Sequence, residues 1–195
     1  MTMSIIKPNV LPASALSSTT AVDAYAAYNA STAYALNAYV TYLERYWRCI
    51  QGPSTGDTPG ESPLYWIDLG QSNVWGMFDS SVGTLTTAEG SLTVVLRPGA
   101  VGGLALLELS GKSLTVTMRD APGDTVIYNK TVALDNTPVT NFYDWFYAEY
   151  VQLTDVVLTD LPIHFVSNEL TITISGTSAI SIVSCGVCQM GEVIN

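Results

Sequence analysis

The sequence predicts an all-β protein whose larger part is an antiparallel β-sandwich. Apolar and hydroxyl side chains alternate along several short segments, as in residues 91–97, where Leu92, Val94 and Leu96 share one face. This alternation places one face of a strand in a core and the other toward solvent. Turn-forming residues separate the segments at intervals of about 8–12 residues, which is typical of a sandwich.

The strands of the sandwich are expected to follow one another from residue 64 to the C-terminus. Residues 104–109 are almost entirely apolar and predict a central strand buried on both faces. A loop at residues 120–124 predicts a hairpin between the strands on either side of it. The other predicted strands of this region are residues 114–119, 125–132, 170–175 and 179–188.

Residues 23–63 predict a small β-module, and a helix over residues 23–48 is the alternative. Alanine favours a helix here, but Tyr39–Tyr42 and residues 45–50 are rich in β-branched and aromatic side chains. Leu43 and Glu44 would then form a short hairpin turn, and a Gly/Pro loop follows.

Residues 1–22 contain two prolines and no periodicity, and they predict an extended arm. The arm is either a free tail or a segment ordered on a neighbouring subunit, and its aliphatic residues favour the second. The predicted domains are therefore the arm at 1–22, the β-module at 23–63 and the sandwich at 64–195.

Composition and charge disfavour several functions. The chain has 195 residues, a formal net charge of −10 and only 12% charged residues. Nucleic acids and anionic membranes attract basic surfaces, so neither is an expected partner. No apolar run approaches the ~18 residues of a membrane span, and the first residues do not resemble a signal peptide. Low charge with many Tyr, Ser and Thr residues is typical of proteins that contact neighbours.

The cysteines and the histidine do not form a recognisable catalytic or metal-binding pattern. Cys185 and Cys188 have the C-x-x-C spacing, but residues three apart on a strand point to opposite faces. Buried thiols are expected for these two and for Cys49, with a zinc or redox site as the alternative. His164 is expected to be a surface or hydrogen-bonded residue rather than a catalytic one.

The carboxylates near the aromatic block are interpreted as solvated acids at strand ends. They are Asp144, Glu149, Asp155 and Asp160. A glycosidase pair facing across a cleft and a Ca²⁺ site in a loop are the alternatives. We expect no enzymatic activity, no cofactor and no metal.

Aromatic residues are the candidates for a functional surface, because exposed Tyr and Trp can stack on sugars or anchor protein interfaces. Strand alternation in residues 142–147 would place Phe142 and Phe146 on the face opposite Tyr143, with one face in the core. Burial of all these rings in the core is the alternative. The candidate interface or glycan-binding residues are Trp47, Tyr65, Trp66, Trp75, Tyr143, Trp145 and Tyr147.

Two stretches resemble known families. YALNAYVTY at 34–42, RYWRC at 45–49, GDTP at 56–59 and YWIDLG at 65–70 resemble small chitin-binding modules of the 5/12 type, which implies strands rather than a helix. WIDLGQSNVWGMFD at 66–79, with LTDLP at 158–162, resembles a segment of tailed-bacteriophage structural proteins. In those proteins the segment opens a galactose-binding-like β-sandwich of the jelly-roll type.

The second resemblance implies a structural component of a bacteriophage virion, in the tail, neck or fibre-attachment region. Its implied partners are other virion proteins and copies of itself, and no catalytic residues are implied. The alternative is a carbohydrate-binding module that attaches the particle to a host surface glycan. The expected location is the virion, after synthesis in the host bacterial cytoplasm.

Overall fold

The computed structural model describes residues 5–120, 125–137, 139–149, 151–163 and 168–194. It is all-β with antiparallel sheets and one short helix, which confirms the predicted fold class. The strands are β1 (Ile5–Pro8), β2 (Leu16–Thr19), β3 (Tyr39–Tyr42), β4 (Arg45–Cys49), β5 (Trp66–Gln71), β6 (Thr86–Glu89), β7 (Ser91–Leu96), β8 (Gly103–Leu107), β9 (Ser113–Arg119), β10 (Val126–Ala133), β11 (Val156–Leu158), β12 (Glu169–Ser175), β13 (Ile182–Cys185) and β14 (Val187–Ile194). The helix is α1 (Phe142–Tyr147), and 3-10 turns lie at Ala13–Ala15 and Gly76–Phe78.

Two sheets face each other in the sandwich. One has four strands in the order β1-β14-β8-β11, and the other has five in the order β10-β9-β12-β7-β2. A two-stranded ribbon of β6 and β13 and a separate three-stranded sheet of β3, β4 and β5 complete the architecture. Every strand pair within these sheets is antiparallel.

The core lies between the four-stranded and five-stranded sheets, and the alternation in the sequence builds it. Three neighbouring strands each send three aliphatic side chains inward, and all are buried: Leu92, Val94 and Leu96 of β7, Leu114, Val116 and Met118 of β9, and Leu170, Ile172 and Ile174 of β12. Leu104 and Leu106 of the central strand β8 meet them from the opposite sheet. Each buried aliphatic side chain contributes about 1.5–3 kcal/mol, so this face dominates the stability of the fold.

The N-terminal segment is not a free arm. β1 pairs with β14 at one edge of the four-stranded sheet, and β2 pairs with β7 at one edge of the five-stranded sheet. Residues 5–19 therefore belong to the sandwich of their own chain, which corrects the predicted arm at 1–22. Composition did not reveal this pairing because edge strands bury few side chains and carry a weak apolar pattern.

The small module has the hairpin that was predicted, and the alternative helix over 23–48 is wrong. Leu43 and Glu44 both have positive φ, at 46° and 67°, which is the backbone of a type I′ turn. β5 pairs with β4 as the third strand, so the module extends to Gln71 and the predicted boundary at residue 63 cuts through its sheet.

Hydrogen bonds join the module to the sandwich where the chain enters and leaves it. The Asn73 amide nitrogen donates to the carbonyl oxygens of Val22 and Thr87, both at 2.9 Å, and its oxygen accepts from the Thr87 backbone N–H at 2.9 Å. The Tyr46 hydroxyl accepts from the Asn73 N–H at 3.0 Å and donates to Asp23 at 3.3 Å. The incoming and outgoing chains are thus held side by side.

Several expectations lie outside the described residues. His164 and most of the loop at 120–124 are among them, so the predicted role of His164 and that turn are not addressed by the structure. No helix in the described part of the chain is long and apolar enough to span a membrane.

We expect Ile172→Ala to lower the free energy of unfolding by about 2–5 kcal/mol, because it leaves a cavity between the two sheets. Ile172 is 1% exposed on the central strand β12. Thr171→Ala, on the outer face of the same strand, is the control and should cost less than about 1 kcal/mol. Urea denaturation measures both values, and equal losses would contradict the assigned core face.

An exposed aromatic helix and a neighbouring cleft

Among the described residues, the most exposed aromatic side chains lie on a loop that leaves the sandwich between β10 and β11. Two backbone hydrogen bonds close the base of the loop, from the Leu153 N–H to the Leu134 carbonyl and from the Asn136 N–H to the Val151 carbonyl, each 2.8 Å. Leu134 is fully buried in the sandwich core. The base is therefore anchored, and α1 lies at the far end of the loop.

Capping interactions form α1. The Asn141 side chain accepts from the backbone N–H groups of Tyr143 and Asp144, both at 2.9 Å. The Asp144 carboxylate reaches back to the Thr140 N–H at 3.0 Å and to its hydroxyl at 2.6 Å. These hydrogen bonds from Thr140 lower the pKa of Asp144. Such reciprocal capping stabilises the first turn of a helix.

The predicted strand alternation in residues 142–147 is consequently wrong. The signal that could have revealed the helix is Asn141 followed by Asp144, a pair with the spacing of a helix N-terminus. Neither face of the segment packs in the core, because none of the six residues of α1 is buried.

Five of the six side chains of α1 are aromatic, and all five are 64–80% exposed: Phe142, Tyr143, Trp145, Phe146 and Tyr147. Phe142 packs on Phe146 with ring centroids 5.2 Å apart, and Tyr143 packs on Tyr147 at 4.6 Å. Among the described residues, no other ring packs on Trp145. Successive residues of a helix are rotated by about 100° around its axis. The five rings therefore point to all sides of α1 except the side of Asp144. The result is a convex apolar surface.

Phe142 and Phe146 therefore join the candidate site, although they were not among its predicted residues. The structure brings Tyr143, Trp145 and Tyr147 together with them on α1.

The other four predicted residues belong to the small module or its junction with the sandwich. Trp66 is only 2% exposed, and its indole N–H donates to the Asp57 carbonyl at 2.7 Å, so it is a core residue rather than a binding residue. Trp47 is half-buried and donates to the Tyr42 carbonyl at 3.0 Å. Tyr65 packs beside them, and Trp75 packs on Phe78 with centroids 5.4 Å apart.

In the segment 66–79, which carries the resemblance to bacteriophage proteins, several side chains have structural roles. Asp68 binds Arg45 at 2.7 Å and accepts from the Gly70 N–H at 2.8 Å. Met77 is fully buried, and the Asp79 carboxylate accepts from the Ser81 N–H at 2.8 Å. The segment therefore contributes to the junction between module and sandwich, and Asp68 and Asp79 stabilise turns of the backbone.

A cleft of about 670 Å³ lies at the base of the loop that carries α1. Gln152, Thr154 and Asp155 reach it from this loop, and Glu108 follows strand β8. Its apolar lining comes from Val82, Leu85, Leu107, Leu109 and Val187. The cleft is open to solvent along one side rather than an enclosed cavity. Sequence reasoning missed this cleft because its residues come from distant parts of the chain.

Three of the four carboxylates near α1 have separate local partners. Asp144 caps α1 as described, Asp155 accepts from the Glu108 N–H at 3.3 Å, and Asp160 binds Lys130 at 3.1 Å. Asp160 also accepts from the Tyr128 hydroxyl at 2.9 Å; burial and this carboxylate raise the pKa of Tyr128 to about 12. Glu149 is exposed.

All three cysteines are free and buried, as expected. β13 ends at Cys185 and β14 begins at Val187, so the strand is interrupted within the C-x-x-C stretch. Burial, with a smaller effect of the Glu108 charge, raises the pKa of Cys185 to about 12, and burial raises that of Cys188 well above its usual value. Within the described ranges, no three His, Cys, Asp or Glu residues are placed to hold a metal ion.

Comparison with known proteins gives distant structural neighbours. No protein-family model and no curated protein sequence matches the chain. Among solved structures it is similar to the C-terminal domain of a chitobiase from Bacteroides fragilis, with 8% identity and a TM-score of 0.38 over 81% of this chain and 100% of that chain. It is also similar to an F5/8 type C domain from Bacteroides fragilis, with 12% identity and a TM-score of 0.35 over 62% of this chain and 80% of that chain. At these values the likeness carries no information on ligands or activity.

We expect Cys185 and Cys188 to resist alkylation by iodoacetamide in the native protein near neutral pH. Their raised pKa values keep the thiols protonated, and burial blocks the reagent. Mass spectrometry of native and urea-unfolded samples should show modification only after unfolding. Rapid modification of either thiol in the native protein would contradict the described packing.

Proposed function

We propose that this chain is a non-catalytic structural component of a bacteriophage virion, in the tail, neck or fibre-attachment region. The observation that carries the proposal is α1, where five exposed aromatic side chains project from an anchored loop. The assignment to a virion is supported by the resemblance of residues 66–79. The proposed location is accordingly the virion, after synthesis in the host bacterial cytoplasm.

The exposed rings of α1 are costly in water, and burial against a partner removes that cost. Tyr and Trp are the residue types that most often dominate binding energy at protein interfaces. The rings form a convex surface, so the matching partner surface is an apolar depression. The partners that we propose are other virion proteins and copies of this chain.

Charge adds a second requirement for the partner. The chain carries a net charge of −10, and Asp144 is the one acidic residue within α1. Long-range repulsion would slow the approach of another strongly acidic surface. We therefore expect a neutral or basic rim around the apolar depression that receives α1. Nucleic acid and membrane are not proposed as partners.

We expect a Trp145→Ala, Phe146→Ala double variant to fold normally and to be lost from purified particles. Removing exposed side chains changes the free energy of unfolding little. Loss of aromatic anchors, in contrast, lowers the binding free energy by about 2 kcal/mol or more, which weakens affinity at least about 30-fold. Quantitative mass spectrometry of particles and a melting curve of the isolated protein are the measurements.

Ile180→Ala is the matched control, because Ile180 is also an exposed apolar residue, at 84%, but lies in the β12–β13 turn. This variant should reach the normal copy number. Normal incorporation of the double variant, or absence of the wild-type chain from particles, would refute the proposal.

Carbohydrate binding is the second candidate function, and the cleft beside the loop favours it. Gln152, Glu108 and Asp155 provide donors and acceptors for sugar hydroxyls, next to an apolar wall. The open ring faces of Trp145 offer a further place for a sugar to stack. In this alternative the chain attaches a particle to a host surface glycan.

A glycan array with the wild-type chain, Trp145→Ala and Asp155→Asn separates the two sugar positions. Binding that only Asp155→Asn loses places the sugar in the cleft, whereas binding that only Trp145→Ala loses places it on α1. The asparagine keeps an oxygen for the Glu108 N–H, so folding should be preserved. An array with no bound glycan would remove this candidate, and cleavage of a polysaccharide by the wild-type chain would contradict a non-catalytic role.

A further inference from the structure

The three-stranded sheet of the small module has one closed face and one open face. Val40, Cys49 and Trp66 point to the closed face, where they are buried and form the core of the module. Successive side chains of a strand point to opposite sides of the sheet. The open face therefore includes their neighbours in the chain: Tyr39 of β3, Arg48 of β4 and Ile67 of β5.

Tyr39, Arg48 and Ile67 form a row across the three strands. Arg48 lies directly opposite Tyr39 on one side and directly opposite Ile67 on the other. Directly opposed side chains on one face of a sheet are neighbours, and the strand spacing places the ends of the row about 10 Å apart. Tyr39 is 41% exposed and Ile67 is 43% exposed. The row is therefore accessible, with a cation at its centre.

Aromatic packing holds the Tyr39 end of the row. Tyr25 stacks on Tyr39 with ring centroids 4.9 Å and ring planes 18° apart, and it meets the ring of Tyr46 edge-on at 5.0 Å. The Tyr46 hydroxyl in turn accepts from the Ala24 N–H at 2.9 Å. Tyr25 covers one face of the Tyr39 ring, which leaves less of the flat surface on which sugars stack. The row therefore suits a protein partner better than a sugar.

Arg48 has no partner of its own. Its Nε atom is buried and makes no hydrogen bond. In the described part of the chain, its guanidinium forms no ion pair, whereas the nearby Arg45 binds Asp68 at 2.7 Å. The chain has 17 acidic residues for 7 basic ones. The positive charge of Arg48 is therefore left available in a protein that is otherwise rich in carboxylates.

The half-buried position of Arg48 prepares it to bind a carboxylate. A covered stem has less freedom to lose on binding, and the outer N–H groups of a guanidinium can donate two parallel hydrogen bonds to one carboxylate. A partly desolvated charge also interacts more strongly than one in open water. Tyr39 and Ile67 on either side provide apolar contacts, and Tyr and Arg are frequent anchors of protein interfaces.

We propose that the row of Tyr39, Arg48 and Ile67 docks a segment of another protein in which one Asp or Glu lies between apolar side chains. The carboxylate pairs with Arg48, and the flanking apolar side chains cover Tyr39 and Ile67. A single carboxylate suits this surface better than an acidic patch, because the net charge of −10 repels strongly acidic partners. This docking surface is separate from α1 and from the cleft, and it does not depend on the function proposed for either.

The test is an array of short synthetic peptides probed with the full-length protein. Each peptide has a central glutamate flanked by Leu, Ile, Phe or Tyr, and a matched peptide has glutamine at the centre. Oligosaccharides of uronic acids are placed on the same array. We expect a subset of the glutamate peptides to bind, and their glutamine counterparts to bind at least about 10-fold more weakly, because the hydrogen bonds to a charged group are lost.

Three full-length variants locate the binding. Arg48→Gln removes the charge and should lose the preference for glutamate over glutamine. Arg48→Lys keeps the charge without the planar pair of donors, so it should bind the glutamate peptides with intermediate affinity. Lys112→Gln is the matched control, because it removes the same charge from an exposed side chain next to β9, and it should bind as the wild type does. A melting curve verifies that each variant is folded.

Three results would overturn the proposal: no preference for glutamate peptides in the wild type, an unchanged preference in folded Arg48→Gln, or uronic-acid binding without peptide binding. If Arg48→Gln does not fold, Ile67→Ala replaces it. That variant should weaken binding of the glutamate peptides and keep the preference for glutamate over glutamine. Unchanged binding by Ile67→Ala would then place the peptides elsewhere on the protein and reject the docking surface.

Discussion

The packed core of the sandwich fixes the positions of its strands. An insertion between two strands must therefore begin and end close together. The small module lies between β2 and β6, and the loop carrying α1 lies between β10 and β11. Each insertion is closed at its base by hydrogen bonds, through Asn73 in one case and through the pairing of residues 134–136 with 151–153 in the other. Because both bases are fixed on the same core, the ends of the insertions are free to carry surfaces that folding does not need.

Folding and recognition therefore use different aromatic residues. Trp66 and its aromatic neighbours Tyr28 and Tyr34 fill the core of the small module, with ring centroids 5.3–5.8 Å apart. The rings of α1 have no such role, since none is buried. An aromatic residue in a small β-sheet supplies the apolar area that a short module otherwise lacks. The same residue type on an anchored loop keeps that area available to a partner. α1 would act through side chains, so its affinity and specificity depend on the shape of the depression that receives the rings.

Local pattern determined the core strands, the hairpin turn at Leu43 and Glu44, and the burial of the cysteines. Alternation with a period of two and the preferences of turn residues act over a few positions, so they are readable in the sequence. Tertiary structure alone decided that residues 5–19 close both sheets, that Trp66 is buried and that the rings of residues 142–147 lie remote from the core. Edge pairing joins residues far apart in the chain and leaves little pattern in either partner. A six-residue helix is too short for its period to be distinguished from strand alternation, and whether its rings are buried depends on where the base of the loop is anchored.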